Sequence, residues 1–281
     1  MVERARAARD ASLDSLFVGD RHVTGDSYFQ NSPILGRLLA EWGDAPAGAL
    51  YLLPLWHPVL LAEQVATLAA VARGRFILQC AIGDGPEQFA GMGVSRRDRP
   101  SRFEESLGIV RRLLRGEEVS SAGAWSIERA RIGPQPSEPV EVWIGGAAST
   151  ALTRAARLGD AWVAGPYAPL DELAAQVEVY RRACQDHGRT TDVMAIRRDV
   201  HVGRDDSDAR RVADPVIAGG YRGLDPDVLI VRGPQRVAEE FRRLAQLGFT
   251  DVLIRQLAED QADVLGSFER LAEVRTSVVD A

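Results

Sequence analysis

Val140-Glu-Val-Trp-Ile-Gly-Gly-Ala-Ala-Ser-Thr-Ala-Leu-Thr-Arg-Ala-Ala-Arg-Leu-Gly-Asp-Ala-Trp-Val163 reads as strand, glycine turn, helix and second strand within one short unit. Val140 to Ile144 is apolar enough for a buried parallel strand. Gly145 and Gly146 permit close backbone approach, and Ser149 and Thr150 supply hydroxyls where a helix begins. Free amides at such a helix start, with the positive end of the helix dipole behind them, suit a phosphate. An ordinary strand-to-helix connection would look the same in this pattern alone, so both readings stand at this point.

Outward from that unit, helical periodicity and short apolar runs alternate along the whole chain, the pattern of repeated β-α units around a parallel sheet. The expected strands are 15–18, 49–53, 76–82, 140–144, 161–164, 193–202 and 252–255. The expected helices are 2–11, 33–42, 58–71, 99–115, 150–158, 171–187, 207–218, 235–247 and 260–274. This comes close to a TIM-type (β/α)8 barrel in a single domain over residues 1–281. A doubly wound sheet is the rival, but there the glycine turn follows the first strand, and here it comes halfway along. The stretch 131–138 reads as a Pro-rich connection within the domain. No apolar strand precedes the first helix, so we expect the first barrel strand to be missing or atypical.

The apolar fraction, 46% of 281 residues, is normal for a globular core. No apolar run is long enough to span a membrane, and the opening residues lack the apolar stretch of a signal peptide, so the expected location is cytoplasmic. A formal charge of −6 argues against a nucleic-acid partner and for a small molecule. All 34 basic residues are Arg, which removes Schiff-base and Walker-type chemistry, since both need a lysine amine. Cys80 and Cys184 support neither a disulfide framework nor a metal site, and no His and carboxylate spacing suggests a metal.

Leu13 to His22, Leu52 to Glu63, Gly74 to Gly83 and the 140–163 unit stand in an order and spacing that resembles the luciferase-like monooxygenase family, the flavin- and F420-dependent barrel enzymes related to bacterial luciferase. Gly233-Pro-Gln-Arg-Val-Ala-Glu-Glu-Phe241 resembles the way such chains end. The resemblance implies an oxidoreductase with its site at the carboxyl ends of the strands. It implies that Gly145, Gly146, Ala147, Ala148, Ser149 and Thr150 bind the cofactor phosphate. The strand after Gly48, with Ala49 and Leu50, would lie along the flavin ring, and a non-prolyl cis peptide would fall at Ala49–Leu50. The cofactor implied is FMN, reduced by a partner reductase and used with O2 on a hydrophobic organic substrate. F420-dependent hydride transfer is the alternative, and a non-catalytic barrel for binding or assembly a third. Absence of the Gly-Pro-Lys usual at the phosphate turn of F420-binding members favours FMN. A homodimer or higher homo-oligomer is implied as well.

The sequence also departs from the family. Arg21 stands where luciferase has its catalytic histidine, and Ala81-Ile82 replaces a Cys-Arg pair, so light emission is not expected. His22, after Asp20-Arg21 at a strand end, is the candidate general acid or base, with Asp20 either orienting it or pairing with Arg21. Gln79 or Cys80, whichever faces inward, would contact the ring. Tyr28, Trp56, His57, Arg197 and Tyr221 are candidate substrate-pocket residues. Arg197 and Arg198 must point to opposite faces, and the inward one would bind an anion or pair with Asp199. Loops 25–32, 84–100 and 219–227, with Phe29 and Met92 among their apolar residues, would set specificity.

Overall fold

The computed structural model describes residues 1–190 and 192–279. The elements run α1 (Val2–Asp10), β1 (Leu16–Val18), α2 (Asn31–Trp42), β2 (Ala47–Leu52), α3 (Pro58–Val71), β3 (Phe76–Ala81), α4 (Pro86–Gly91), α5 (Arg99–Leu114), β4 (Val119–Ala122), β5 (Ser126–Ala130), β6 (Glu141–Gly145), α6 (Ser149–Leu158), β7 (Ala161–Ala164), α7 (Leu170–Asp186), β8 (Met194–Val202), α8 (Asp206–Ala218), β9 (Ile230–Arg232), α9 (Pro234–Leu247), β10 (Asp251–Gln256) and α10 (Gln261–Val279). The chain forms two compact units, one of residues Ser15–Trp143 and one joining Met1–Asp14 to the chain from Ile144 onward.

In the 15–143 unit β1, β2 and β3 pair in parallel, with Phe17 opposite Gly48 and Gly48 opposite Ile77. Glycine is required at 48 by crowding, because a Cβ there would collide with the Phe17 ring and lie 2.8 Å from the Ile77 carbonyl. That ring stacks on Trp143 at 5.6 Å. Ala47, Ala49 and Tyr51 are wholly buried, as a strand covered on both sides demands. Leu35, Leu61, Val65, Phe103 and Leu107 bury the inner stripes of α2, α3 and α5. Strands β4 and β5 form an antiparallel hairpin with a register shift between Val119 and Ser121. Glu105 of α5 holds it, accepting from Ser121 Oγ, the Ala124 amide and the Trp125 amide.

In the other unit β7, β8 and β10 are parallel, and the short β9 pairs with the end of β8 at Val200, His201 and Val202. Val200 and Val202 pack with Ile230, Val237, Ala238, Leu271 and Val274, the layer that α9 and α10 lay on the strands. The first helix joins this unit through Arg4, which donates to Gln261 and to the Glu259 carbonyl.

The α/β fold with parallel strands expected from the sequence is the one found, with four elements added. The β4–β5 hairpin was not expected, because Val-Ser-Ser-Ala and Ser-Ile-Glu-Arg-Ala are mostly exposed and show no apolar face. Ile230–Arg232 is too short to carry a pattern, and α4 falls inside what reads as the loop 84–100. The proline-rich stretch 131–138 is a connection. Ala49–Leu50 is trans, contrary to expectation, and the cis bond among the described residues is Gly133–Pro134. The ladder is regular across 49 and 50, with Ala49 opposite both Val18 and Leu78 and Leu50 opposite Gln79, which leaves no irregularity for a cis peptide to occupy.

Candidate functional site

In the 15–143 unit the chemistry gathers just beyond β1. Asp20, whose side chain is fully buried, accepts from the Leu52 amide and from Trp56 Nε1, each at 2.8 Å through Oδ2. Its other oxygen, Oδ1, lies 3.1 Å from His22 Nε2. The contact is off the line of a straight hydrogen bond, so both atoms remain without an aligned partner. The His22 side chain is 11% exposed, its backbone amide donates to Gln88 Oε1 of α4, and its ring meets Trp56 edge-on at 5.4 Å. Trp56 in turn meets Tyr51. Two rigid donors thus fix the carboxylate, and the carboxylate faces the imidazole, the arrangement of an oriented acid or base.

Arg21 takes no part in that contact. It turns outward to Asp26 at 2.6 Å, which decides for Asp20 between orienting His22 and pairing with Arg21. His57 is exposed and packs its ring on Trp125 at the start of α3. Tyr28 is half-buried with its hydroxyl against Gly19, where a Cβ would lie 2.6 Å away. Of the two ring candidates, Cys80 is wholly buried and burial pushes its thiol up, whereas Gln79 is half-buried. Gln79 sits beside Leu50 across the β2–β3 ladder, and Leu50 is the one residue of β2 that is not buried. Ala49 is buried on the other side of the strand. The open patch is therefore Leu50 with Gln79.

In the other unit the turn after β6 is tied to β7. The Gly146 amide donates to the Val163 carbonyl, and Trp162 Nε1 donates to the Gly146 carbonyl at 2.7 Å. A Cβ on Gly146 would lie 2.5 Å from the Ala151 Cβ, so this glycine is there to let the turn close onto α6. Ala147, Ala148, Ser149 and Thr150 are exposed. Ala148 occupies the cap position, where alanine has no side chain to accept from the first-turn amides. The Ala151 amide turns back to the Ala148 carbonyl, which leaves the amides and hydroxyls of Ser149 and Thr150 open to an external acceptor such as a phosphate.

Further along this unit Arg197 is half-buried and binds the wholly buried Asp199 through Nε and Nη2, at 2.8 and 2.7 Å. Tyr221 donates its hydroxyl to Asp199 Oδ2 at 2.7 Å, and burial beside that carboxylate pushes the phenol up to about 12. Arg198, on the opposite face, is buried, donates to the Ala168 carbonyl and is drawn down to about 10 by burial. Sequence reasoning did not assign Gln88, and it did not give Trp56 its role as a donor to Asp20. Both contacts span long stretches of chain and leave no local signal.

A family model described as luciferase-like monooxygenase matches residues 1–250. An uncharacterised protein of Mycobacterium tuberculosis is 34% identical over 140 residues, covering 50% of this chain and 48% of that protein. The chain thus spans about half the length of that curated relative. The F420-dependent glucose-6-phosphate dehydrogenase of Nakamurella multipartita is 25% identical across 95% of this chain and 89% of its own. Among solved structures, the oxygenating constituent of 3,6-diketocamphane monooxygenase from Pseudomonas putida, in complex with FMN, superimposes with a TM-score of 0.84. It is 19% identical, over 99% of this chain and 92% of that one, and this likeness carries the fold. With the match running from α1 through the β6–α6 turn to the end of α9 and beyond, over residues 1–250, the chain belongs to the luciferase-like monooxygenase family.

Proposed function

We propose that this chain is an oxidoreductase that takes a flavin-type cofactor by its phosphate at the β6–α6 turn and uses His22 to handle the substrate proton. The observation that carries the reading is the His22–Asp20 contact, an imidazole set against a buried carboxylate that two other donors hold in place. When bound, such a cofactor supplies the hydride or oxygen chemistry, and the protein contributes position, exclusion of water and a proton path. Asp20 Oδ1 faces Nε2 and sets the orientation of the ring, which leaves Nδ1 on the side that would exchange a proton with the substrate. The exposed Ser149 and Thr150 would donate to the phosphate.

Of the two cofactors we favour F420, contrary to the inference from the missing lysine. The relative aligned over 95% of the chain is F420-dependent. The turn from Gly145 to Thr153 carries no cation, which suits the single charge of a phosphodiester better than the double charge of a terminal phosphate. The reaction is then hydride transfer between the cofactor and an alcohol or carbonyl, with His22 as base or acid. The FMN reading, a monooxygenase acting with O2 and a separate reductase, draws support from the fold shared with the FMN-bound Pseudomonas protein. Fluorescence titration of the purified chain with F420 and with FMN separates them. Saturable binding of F420 alone is expected, binding of FMN alone gives the monooxygenase reading, and binding of neither leaves the non-catalytic barrel. A homodimer, expected from the family, is checked by light scattering.

A further inference from the structure

Asp199 is shared unequally by the cations around it. On β8 alternate residues share a face, so Arg197 and Asp199 stand on the same one, and Arg197 holds both carboxylate oxygens. Tyr221 takes a further position on Oδ2. One guanidinium therefore accounts for the charge of Asp199. The parallel register then places Arg255 of β10 directly beside Asp199. Arg222, next to Tyr221 in a short 3-10 turn, is set in the left-handed region at φ 51°, an unusual conformation for a residue other than glycine. Neither Arg222 nor Arg255 makes an ion pair or a hydrogen bond among the described residues. Arg222 and Arg255 are both exposed, and the partial desolvation of Arg222, then Arg255 and Arg197, hold its guanidinium below its ordinary value.

Arg197 thus binds Asp199, Arg255 stands next to it in the ladder and Arg222 follows the tyrosine that donates to it, and neither Arg222 nor Arg255 has an ion pair of its own among the described residues. Most other arginines, though not Arg73, Arg97, Arg182 or Arg210, are engaged by the chain itself, as Arg204 and Arg211 are by Asp208 and Arg275 by Asp14. Like charges held together without compensation are unfavourable, and a bound oxyanion relieves them while using the forked donors of arginine. We propose that Arg222 and Arg255, steadied by the Arg197–Asp199–Tyr221 group, form a subsite for an anionic group of the substrate, a phosphate or a carboxylate. This rests on the oxidoreductase reading above only in naming the substrate as the bearer of that group. It also sets the subsite apart from the β6–α6 turn, which takes the cofactor.

Calorimetric titration of the full chain at low ionic strength tests it, with inorganic phosphate and acetate as probes. Saturable binding of at least one anion is expected, and phosphate stronger than acetate assigns a phosphate group, the reverse a carboxylate. The Arg222→Gln/Arg255→Gln variant is expected to weaken that binding at least tenfold while its melting temperature stays level or rises, because repulsion is removed. A Ser149→Asp variant, which repels anions at the other turn, keeps it. Binding unchanged in the arginine variant, lost in Ser149→Asp alone, or absent from the wild-type chain overturns the proposal, as does a lowered melting temperature with binding intact, which marks the arginines as structural. Cofactor titration of the same proteins reads the oxidoreductase assignment separately: failure to bind either cofactor, with the anion result intact, removes that assignment and leaves the subsite.

Discussion

At the scale of single residues, Asp20 matters as much as His22. It satisfies a strand amide and an indole before it meets the imidazole, so it serves both structure and site. Replacing His22 by Asn is expected to lower turnover by about 10²- to 10⁴-fold, the usual share of a general acid or base, with cofactor affinity in titration unchanged. Replacing Asp20 by Ala is expected to cost about 2–3 kcal/mol in denaturant unfolding as well, since it strands the Leu52 amide and the Trp56 indole. His22 and Asp20 were legible in the sequence because they lie two apart at a strand end. The direction of Arg21, toward Asp26, was not, because only the loop conformation decides which neighbour a surface arginine meets.

At the scale of elements, the glycine turn and the helix behind it act as one piece. Gly146 is fitted against Ala151, so Gly146→Ala is expected to destabilise the chain by about 1–3 kcal/mol through overpacking and to weaken cofactor binding. Adding Ala151→Gly to it should restore much of both, and a melting series on the four proteins reads the coupling. The β4–β5 hairpin depends in the same way on one side chain of α5. Glu105→Ala is expected to speed proteolytic cleavage near Gly123 with little change in the melting temperature of the whole, because the segment is exposed and locally held. The strand-turn-helix unit was legible since its apolar run, glycines and hydroxyls are contiguous. The hairpin was hidden because its pairing is held from α5, at a distance in sequence.

For the whole molecule, buried ionisable groups set the response to pH. His201 of β8 is 1% exposed, and burial lowers its pKa below 6.5, so the folded chain holds it neutral. The unfolded chain takes up that proton as pH falls below about 6.5, so stability is lost in that direction, by up to about 1.4 kcal/mol per pH unit, until the lowered folded value is reached. Thermal melts from pH 8 to 5 are expected to show this acid-side loss, and His201→Gln to flatten it. Among the described residues no helix is long and apolar enough to cross a membrane. The sequence by itself determined the α/β class, the parallel strands and the strand-turn-helix unit at 140–158, and it put forward the histidine candidate, because each rests on residues close together in the chain whose pattern follows from backbone geometry. Only the tertiary structure decided that Asp20 faces His22 rather than Arg21, that Gln79 rather than Cys80 is open, that Ala49–Leu50 is trans, and that Arg222 and Arg255 stand unpaired beside Asp199. These outcomes depend on which distant segments meet, and burial and charge balance at such meetings leave no local trace.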